Sequence, residues 1–371
     1  MNRQPADVGM SVDEVDTPAL LVDLDAFERN VEKMASFCSE SGVRLRAHAK
    51  THKSPDIAKF QIARGAVGIC CQKVSEAEAM VDGGVNDVLV SNEVVGGRKI
   101  DRLAALAGRA RIGVCVDDAG NIADLDRAAG SAGVKIEVLV EVDVGAGRCG
   151  VAPGEEAVVL ALRVADSANL EFAGLQAYQG SAQHIRKFGA RRNTIEQSIA
   201  KTRDTVDRIA AAGLRCETIA GAGTGTYRFE AGSGVYNELQ CGSYIFMDAD
   251  YGRIDLEHRS GNDEFGNALF VCTTVMSKAR SGLAVCDAGL KAHSVDSGMP
   301  LVRGRTGLEY TGASDEHGQI KDPDDSLELG ERLWLVPGHC DPTVNLHDWL
   351  VGIRNGVVEV LWPISARGMM F

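Results

Sequence analysis

Lys50 closes the run Val43-Arg-Leu-Arg-Ala-His-Ala-Lys50 and is followed by Thr51, His52 and Lys53. A β-like run ending in lysine sets an amine at a strand terminus. Arg46, His48, His52 and Lys53 crowd it with cationic groups, and with partial desolvation this lowers an amine's pKa, as imine formation requires. A basic surface turn has the same spacing, so the lysine alone divides evenly between the two readings. Further along stands Gly221-Ala-Gly-Thr-Gly-Thr226, whose glycines let backbone N–H groups converge on an anion. Such runs are as often simple turns. A strand-end lysine and a phosphate cradle in one fold point together to an imine-forming, phosphorylated cofactor.

A third group is Pro337-Gly-His-Cys-Asp-Pro-Thr-Val-Asn-Leu-His-Asp-Trp349. His339 and Asp341 stand two apart, which on an extended segment puts them on one side with Cys340 turned the other way. Imidazole plus carboxylate suits Mn²⁺, Mg²⁺ or Zn²⁺, and two protein ligands leave positions open for water and a substrate oxygen. An isolated His-x-Asp is more commonly a polar turn. His347 and Asp348 read as structural.

These groups need elements to position them. β-rich runs at Arg44–Ala49, Val67–Cys71, Asp87–Asn92, Ile112–Asp117, Ile136–Asp143, Phe172–Tyr178, Cys216–Gly221 and Gly242–Asp248 are separated by segments of helical periodicity. Eight such units predict an α/β fold, a (β/α)8 barrel, with an open doubly wound sheet as the alternative. A barrel's active site lies at the carboxyl ends of its strands. There the sequence places Lys50, Gln72, Ser91, Arg148, Tyr178, His184 and the glycine-rich loop. After residue 255 the texture becomes short β-like runs with turn residues between, which predicts a C-terminal all-β domain. The run Ala19–Leu24 is an extra strand free to pair with it. The expected division is 1–25 as an N-terminal segment pairing with the β domain, 26–255 as the barrel, and 256–371 as the β domain.

With 371 residues, 45% apolar, the chain is long enough for about two domains. A formal charge of −13 argues against nucleic acid, whose phosphates need a basic footprint. The ten cysteines show no framework spacing and read as reduced core residues. The N-terminal stretch is polar, without a signal-peptide core, and no apolar run approaches membrane-spanning length. The expectation is a cytoplasmic protein with no membrane partner.

The motifs HAKTHKS, GICCQKVSEAEA, LVSNEVVG, VEVDVGAGRCGV, GLQAYQGSAQH, VYNELQCGSY, CDAGLKA, DEHG and VPGHCDPTVNLHDW, in that order, resemble the D-threonine aldolase family of alanine-racemase-like pyridoxal phosphate enzymes. The likeness runs from about residue 15 to residue 368. Within the family, GVYNELQCGSYIFMDADYGRI and GLKAHSVDSGMP are most similar to the branch acting on 3-hydroxy-D-aspartate. The resemblance implies a barrel carrying pyridoxal 5'-phosphate, a C-terminal β domain and a homodimer. It makes Lys50 the Schiff-base lysine and sets Arg148 near the cofactor's phenolic oxygen. Gly223, Thr224 and Gly225 fall in the phosphate loop with Tyr244 close by, and Gln72 and Tyr178 line the ring pocket. His339 and Asp341 take the metal positions. Gln240 stands where racemases carry an arginine facing the pyridine nitrogen, and their C-terminal-domain tyrosine is not evident, which argues against racemisation. Related D-serine and D-threo-3-hydroxyaspartate dehydratases carry His-x-Cys at the metal pair; the carboxylate here favours Mn²⁺ or Mg²⁺ over Zn²⁺ and an aldolase over a dehydratase. The implied reaction is retro-aldol cleavage of 3-hydroxy-D-aspartate to glycine and glyoxylate, and of D-threonine to glycine and acetaldehyde. Its base is His184 or a metal-bound water. A D-threonine aldolase proper, a dehydratase releasing ammonia and a non-catalytic cofactor carrier are the alternatives.

Overall fold

Asp23 accepts a hydrogen bond from the Ala26 amide and so starts the first long helix, Leu24–Ser41. Gly42, left-handed at φ 67°, ends it and turns the chain into the first barrel strand. The computed structural model describes residues 4–258 and 260–371. Ahead of that helix lies β1 (Ala19–Asp23); after it come β2 (Arg44–His48), β3 (Gly68–Cys71), β4 (Asp87–Glu93) and β5 (Arg111–Val116). The series continues with β6 (Ile136–Glu141), β7 (Leu170–Gln176), β8 (Thr218–Gly221) and β9 (Glu238–Leu239). β2 to β9 form a closed parallel barrel, sealed where Arg44 and Leu45 pair with Glu238 and Leu239. An open doubly wound sheet is thereby excluded.

The first seven expected strands are present; the eighth is displaced. It is the short Glu238–Leu239, whereas Gly242–Asp248 forms a 3-10 turn at Ser243–Ile245 and runs into a helical turn at Ala249–Gly252. Glu238 masks the strand because a buried carboxylate interrupts the apolar pattern. It is tolerated there because both Arg44 and Arg46 pair with it.

The second domain contains β10 (Leu269–Arg280), β11 (Leu283–Cys286), β12 (Leu301–Val302), β13 (Glu309–Ala313) and β14 (Gly318–Lys321). β15 (Arg332–Val336), β16 (Trp349–Arg354) and β17 (Val357–Pro363) complete it. These join β1 in one nine-stranded sheet. β1 lies centrally, antiparallel to β10 and parallel to β16. Leu20 and Leu21 are fully buried on its two faces, in separate apolar clusters. The larger of these continues from Leu20 through Tyr244 and Phe246 to Val271 and Leu335, so it spans the barrel's edge and the sheet.

All ten cysteines are unpaired, and all but Cys149 and Cys216 are buried. Among the described residues no helix is long and apolar enough to cross a membrane. Truncating a fully buried leucine leaves a cavity, so Leu20→Ala is expected to destabilise the protein by roughly 2–5 kcal/mol. Chemical denaturation would measure this; an unchanged midpoint would mean β1 is not integral to the sheet.

Candidate active site

The carboxyl ends of the barrel strands open on one cavity of about 170 Å³. Lys50 reaches it from the single 3-10 turn (Ala49–Thr51) that follows β2. Gln72 lies just beyond β3, Tyr178 beyond β7, Gly223 and Thr224 beyond β8, and Gln240 beyond β9. Arg148 comes from the loop after β6, and His184 from the 3-10 turn Ser181–His184. The second domain closes the cavity with His339 and Asp341. Residues that are 291 positions apart thus meet, with Lys50 Nζ 3.7 Å from Asp341 Oδ2.

The electrostatics around Lys50 differ from the cation crowding expected of it. Arg46 sits at the opposite end of the barrel, paired with Asp87 and Glu238. Lys53 directs its Nζ to the Ala366 carbonyl, 3.4 Å away. His48 and His52 are neutral: burial, then the Lys50 charge, drives His48 well below its ordinary value, and burial takes His52 to about 4. Burial would lower the Lys50 pKa as well, but the Asp341 carboxylate, helped by Tyr178, outweighs it and raises the amine. Lysine basicity here follows the carboxylate from the second domain rather than neighbouring cations.

The loop after β8 is shaped by Gln183, which is buried. Its Oε1 accepts from the Gly225 amide (3.0 Å) and its Nε2 donates to Thr226 Oγ1 (2.8 Å). A Cβ on Gly223 would stand 2.6 Å from that Oε1, so glycine lets the loop lie against Gln183. The Thr224 hydroxyl is buried with no hydrogen-bond partner among the described residues. A buried unsatisfied hydroxyl on a cavity wall fits a ligand acceptor such as a phosphate oxygen. Gly225 and Tyr244 are not brought to this cavity. Gly225 faces a larger cavity of about 870 Å³ behind the loop, which contains neither Lys50 nor the His339–Asp341 pair. Tyr244 is fully buried against Phe265, with its hydroxyl accepting from Gln61 Nε2 at 2.9 Å.

The lining groups expected from the sequence are tied to one another and to Gln176, which the sequence did not single out. His48 Nε2 and Gln72 Nε2 are 2.9 Å apart, and Gln72 also donates to Ser91. Gln176 and Gln240 exchange amide hydrogen bonds of 2.7 and 2.8 Å, an uncharged pair on the cavity wall. His184 Nδ1 lies 2.7 Å from Asp250 Oδ2, and the bond raises the imidazole's pKa. The guanidinium of Arg148 is 5.8 Å from the Tyr178 ring.

His339 is extended (φ −146°, ψ 124°) and caps a helical turn, Cys340–Val344, so the pair does not sit on a strand as the spacing suggests. Both side chains still line the cavity, while Cys340 is wholly buried. Among the described residues no three His, Cys, Asp or Glu side chains converge to hold a metal. The nitrogen–oxygen pair His339 and Asp341 is the donor set at the mouth, and it suits a hard divalent ion that keeps water ligands.

The family described as "Alanine racemase, N-terminal domain" matches residues 22–250, and "Putative serine dehydratase domain" matches 268–353. The chain is 54% identical to a 3-hydroxy-D-aspartate aldolase of Paracoccus denitrificans (strain Pd 1222), covering 98% of this chain and 95% of that one. It is 48% identical to a D-threonine aldolase of Arthrobacter sp, over 98% and 96%. The chain belongs to the D-threonine aldolase family. The crystal structure of D-threonine aldolase from Filomicrobium marinum superposes with a TM-score of 0.97 at 51% identity, covering all of both chains. As an aldolase of this family the chain is a carbon–carbon lyase of the pyridoxal-phosphate class.

Burial alone would raise the Asp250 pKa, but hydrogen bonds from His184 and Arg186 pull it down to about 2 from 3.8. Because the folded value is depressed, the ionised carboxylate stabilises the fold above about pH 4, and that contribution is lost as pH falls through 2. Asp250→Asn is therefore expected to be less stable than the parent at pH 6, with the two converging near pH 2. Urea midpoints across that range measure it; a constant difference would refute the pairing.

Proposed function

We propose that this aldolase cleaves 3-hydroxy-D-aspartate to glycine and glyoxylate, and D-threonine to glycine and acetaldehyde, using pyridoxal 5'-phosphate and a divalent metal, Mn²⁺ or Mg²⁺. The observation that carries the reading is one cavity shared by the Lys50 amine, the unsatisfied Thr224 hydroxyl and the His339–Asp341 pair. When bound, the cofactor supplies an electron sink for the pair released as Cα–Cβ breaks, and a metal on His339 and Asp341 supplies Lewis acidity toward a substrate oxygen.

The protein's own groups do the rest. Lys50 would hold the cofactor through its ε-amine, the nucleophile that an aldehyde group calls for. Thr224 Oγ1 and the loop that Gln183 shapes would hold the phosphate, and Gln72, Arg148 and Tyr178 would border the ring. The Gln176–Gln240 pair offers the ring an amide where an arginine would place a fixed charge; each amide is already committed to the other. His184 serves as base: Asp250 holds Nδ1, leaving Nε2 to take the β-hydroxyl proton. Asp341 in place of a thiolate favours cleavage over elimination of the hydroxyl. The homodimer is what the resemblance to the family implies, and ten unpaired cysteines fit the reducing cytoplasm.

Purified protein supplied with Mn²⁺ is expected to convert each substrate to glycine plus its aldehyde, with loss on chelation. Lys50→Ala should abolish turnover, and His339→Ala should lower it by about 10²–10³-fold, the equivalent of several kcal/mol of charge stabilisation. Ammonia and oxaloacetate without glycine would replace this reading with a dehydratase.

The base must be neutral to accept a proton, and Asp250 raises the His184 pKa. The acid limb of kcat/KM is therefore expected above histidine's ordinary 6.5 and should move to lower pH in Asp250→Asn. A limb that does not move assigns the base elsewhere.

A further inference from the structure

His339 presents one edge of its ring to the active cavity, and the other is held by a carboxylate that no step above uses. Its Nδ1 is 2.8 Å from Asp296 Oδ2, and Ser297 Oγ is 3.5 Å from the same nitrogen. Asp296 is itself fixed: Ser294 Oγ donates to Oδ1 at 2.7 Å, and Ser297 Oγ to Oδ2 at 3.1 Å. The segment bearing these residues is strapped to the His339 turn. Ser294 N donates to Thr343 Oγ1 (3.1 Å), which donates in turn to the His339 carbonyl (2.7 Å). The backbones touch one position further on, where a Cβ on Gly338 would lie 2.0 Å from the Gly298 carbonyl oxygen.

We infer that Asp296 is a positioning residue for the metal pair, holding the His339 imidazole by Nδ1 so that Nε2 faces the cavity as a ligand. This rests on the metal reading of His339 and Asp341 proposed above. A carboxylate only accepts, so the His339 proton is kept on Nδ1 and the lone pair on Nε2. The same contact fixes the ring plane and strengthens Nε2 as a donor, a recurring arrangement behind metal-bound histidines. Stability does not account for it. The Asp296 side chain is 50% exposed, and exposed pairs of this kind contribute little to folding.

The test is Mn²⁺ titration of chelator-stripped holoenzyme, followed by the electron paramagnetic resonance of the free ion, alongside thermal unfolding and cofactor absorbance. Asp296→Asn is expected to bind Mn²⁺ roughly 10–100-fold more weakly with unfolding temperature and cofactor absorbance unchanged, and saturating Mn²⁺ should restore most turnover. Ser294→Ala, which loosens the carboxylate without removing it, should weaken binding less. If the parent binds Mn²⁺, His339→Ala does not, and Asp296→Asn binds as tightly as the parent, the positioning role is wrong while the metal reading stands. If the parent itself binds no Mn²⁺, the metal reading falls and this inference with it. Loss of cofactor and of thermal stability together with metal in Asp296→Asn would make Asp296 a structural residue and overturn the inference.

Discussion

The site depends on how three consecutive barrel residues grip a loop of the second domain. Asp248 Oδ2 accepts from the Cys340 amide at 2.9 Å, the Ala249 amide donates to the Pro337 carbonyl at 3.0 Å, and the Asp250 amide to the Gly338 carbonyl at 3.2 Å. Asp248 is fully buried; burial raises its pKa, and the Tyr251 and Cys340 amides offset part of that. Two backbone bonds and one buried carboxylate thus fix His339 and Asp341 over a barrel they do not belong to. Without that grip the barrel presents an amine and an anion cradle but no carboxylate opposite Lys50.

The same segment then turns toward the substrate side. Asp248 holds the loop, and Asp250, two residues on, orients His184. One short stretch after the barrel's last strand therefore ties domain docking to the placement of a mouth histidine. A distortion here disturbs both at once.

Much of this was legible in the sequence, for reasons that can be named. The first seven barrel strands announce themselves because each is a short β-like run between helical segments, and strand-end positions such as Lys50, Gln72 and Tyr178 follow from the barrel's geometry. Glu238 concealed the last strand, since pairing with two arginines is a tertiary fact that no local pattern carries. Arg46 looked like a neighbour of Lys50, yet it belongs to the ion-pair cluster at the far end of the barrel. Short strands such as Leu301–Val302 and Gly318–Lys321 are too brief to register against their loops. Tyr244 was expected near the phosphate, but Gln61 and the aromatic core claim it. Asp296 lies 43 residues from His339, and no spacing rule joins them.

The placement of β1 has a consequence for the order in which the chain is made. This strand leaves the ribosome before any of the barrel, but its antiparallel partner begins at Leu269 and its parallel partner at Trp349. At roughly 5–20 residues per second, all the barrel strands are made before either neighbour exists, by a few seconds for the first of them. Through that interval Ala19–Asp23, apolar on both faces, has no ladder to join and presents the kind of open edge that templates association between nascent chains. Vectorial synthesis therefore leaves β1 without partners until its second-domain neighbours are made.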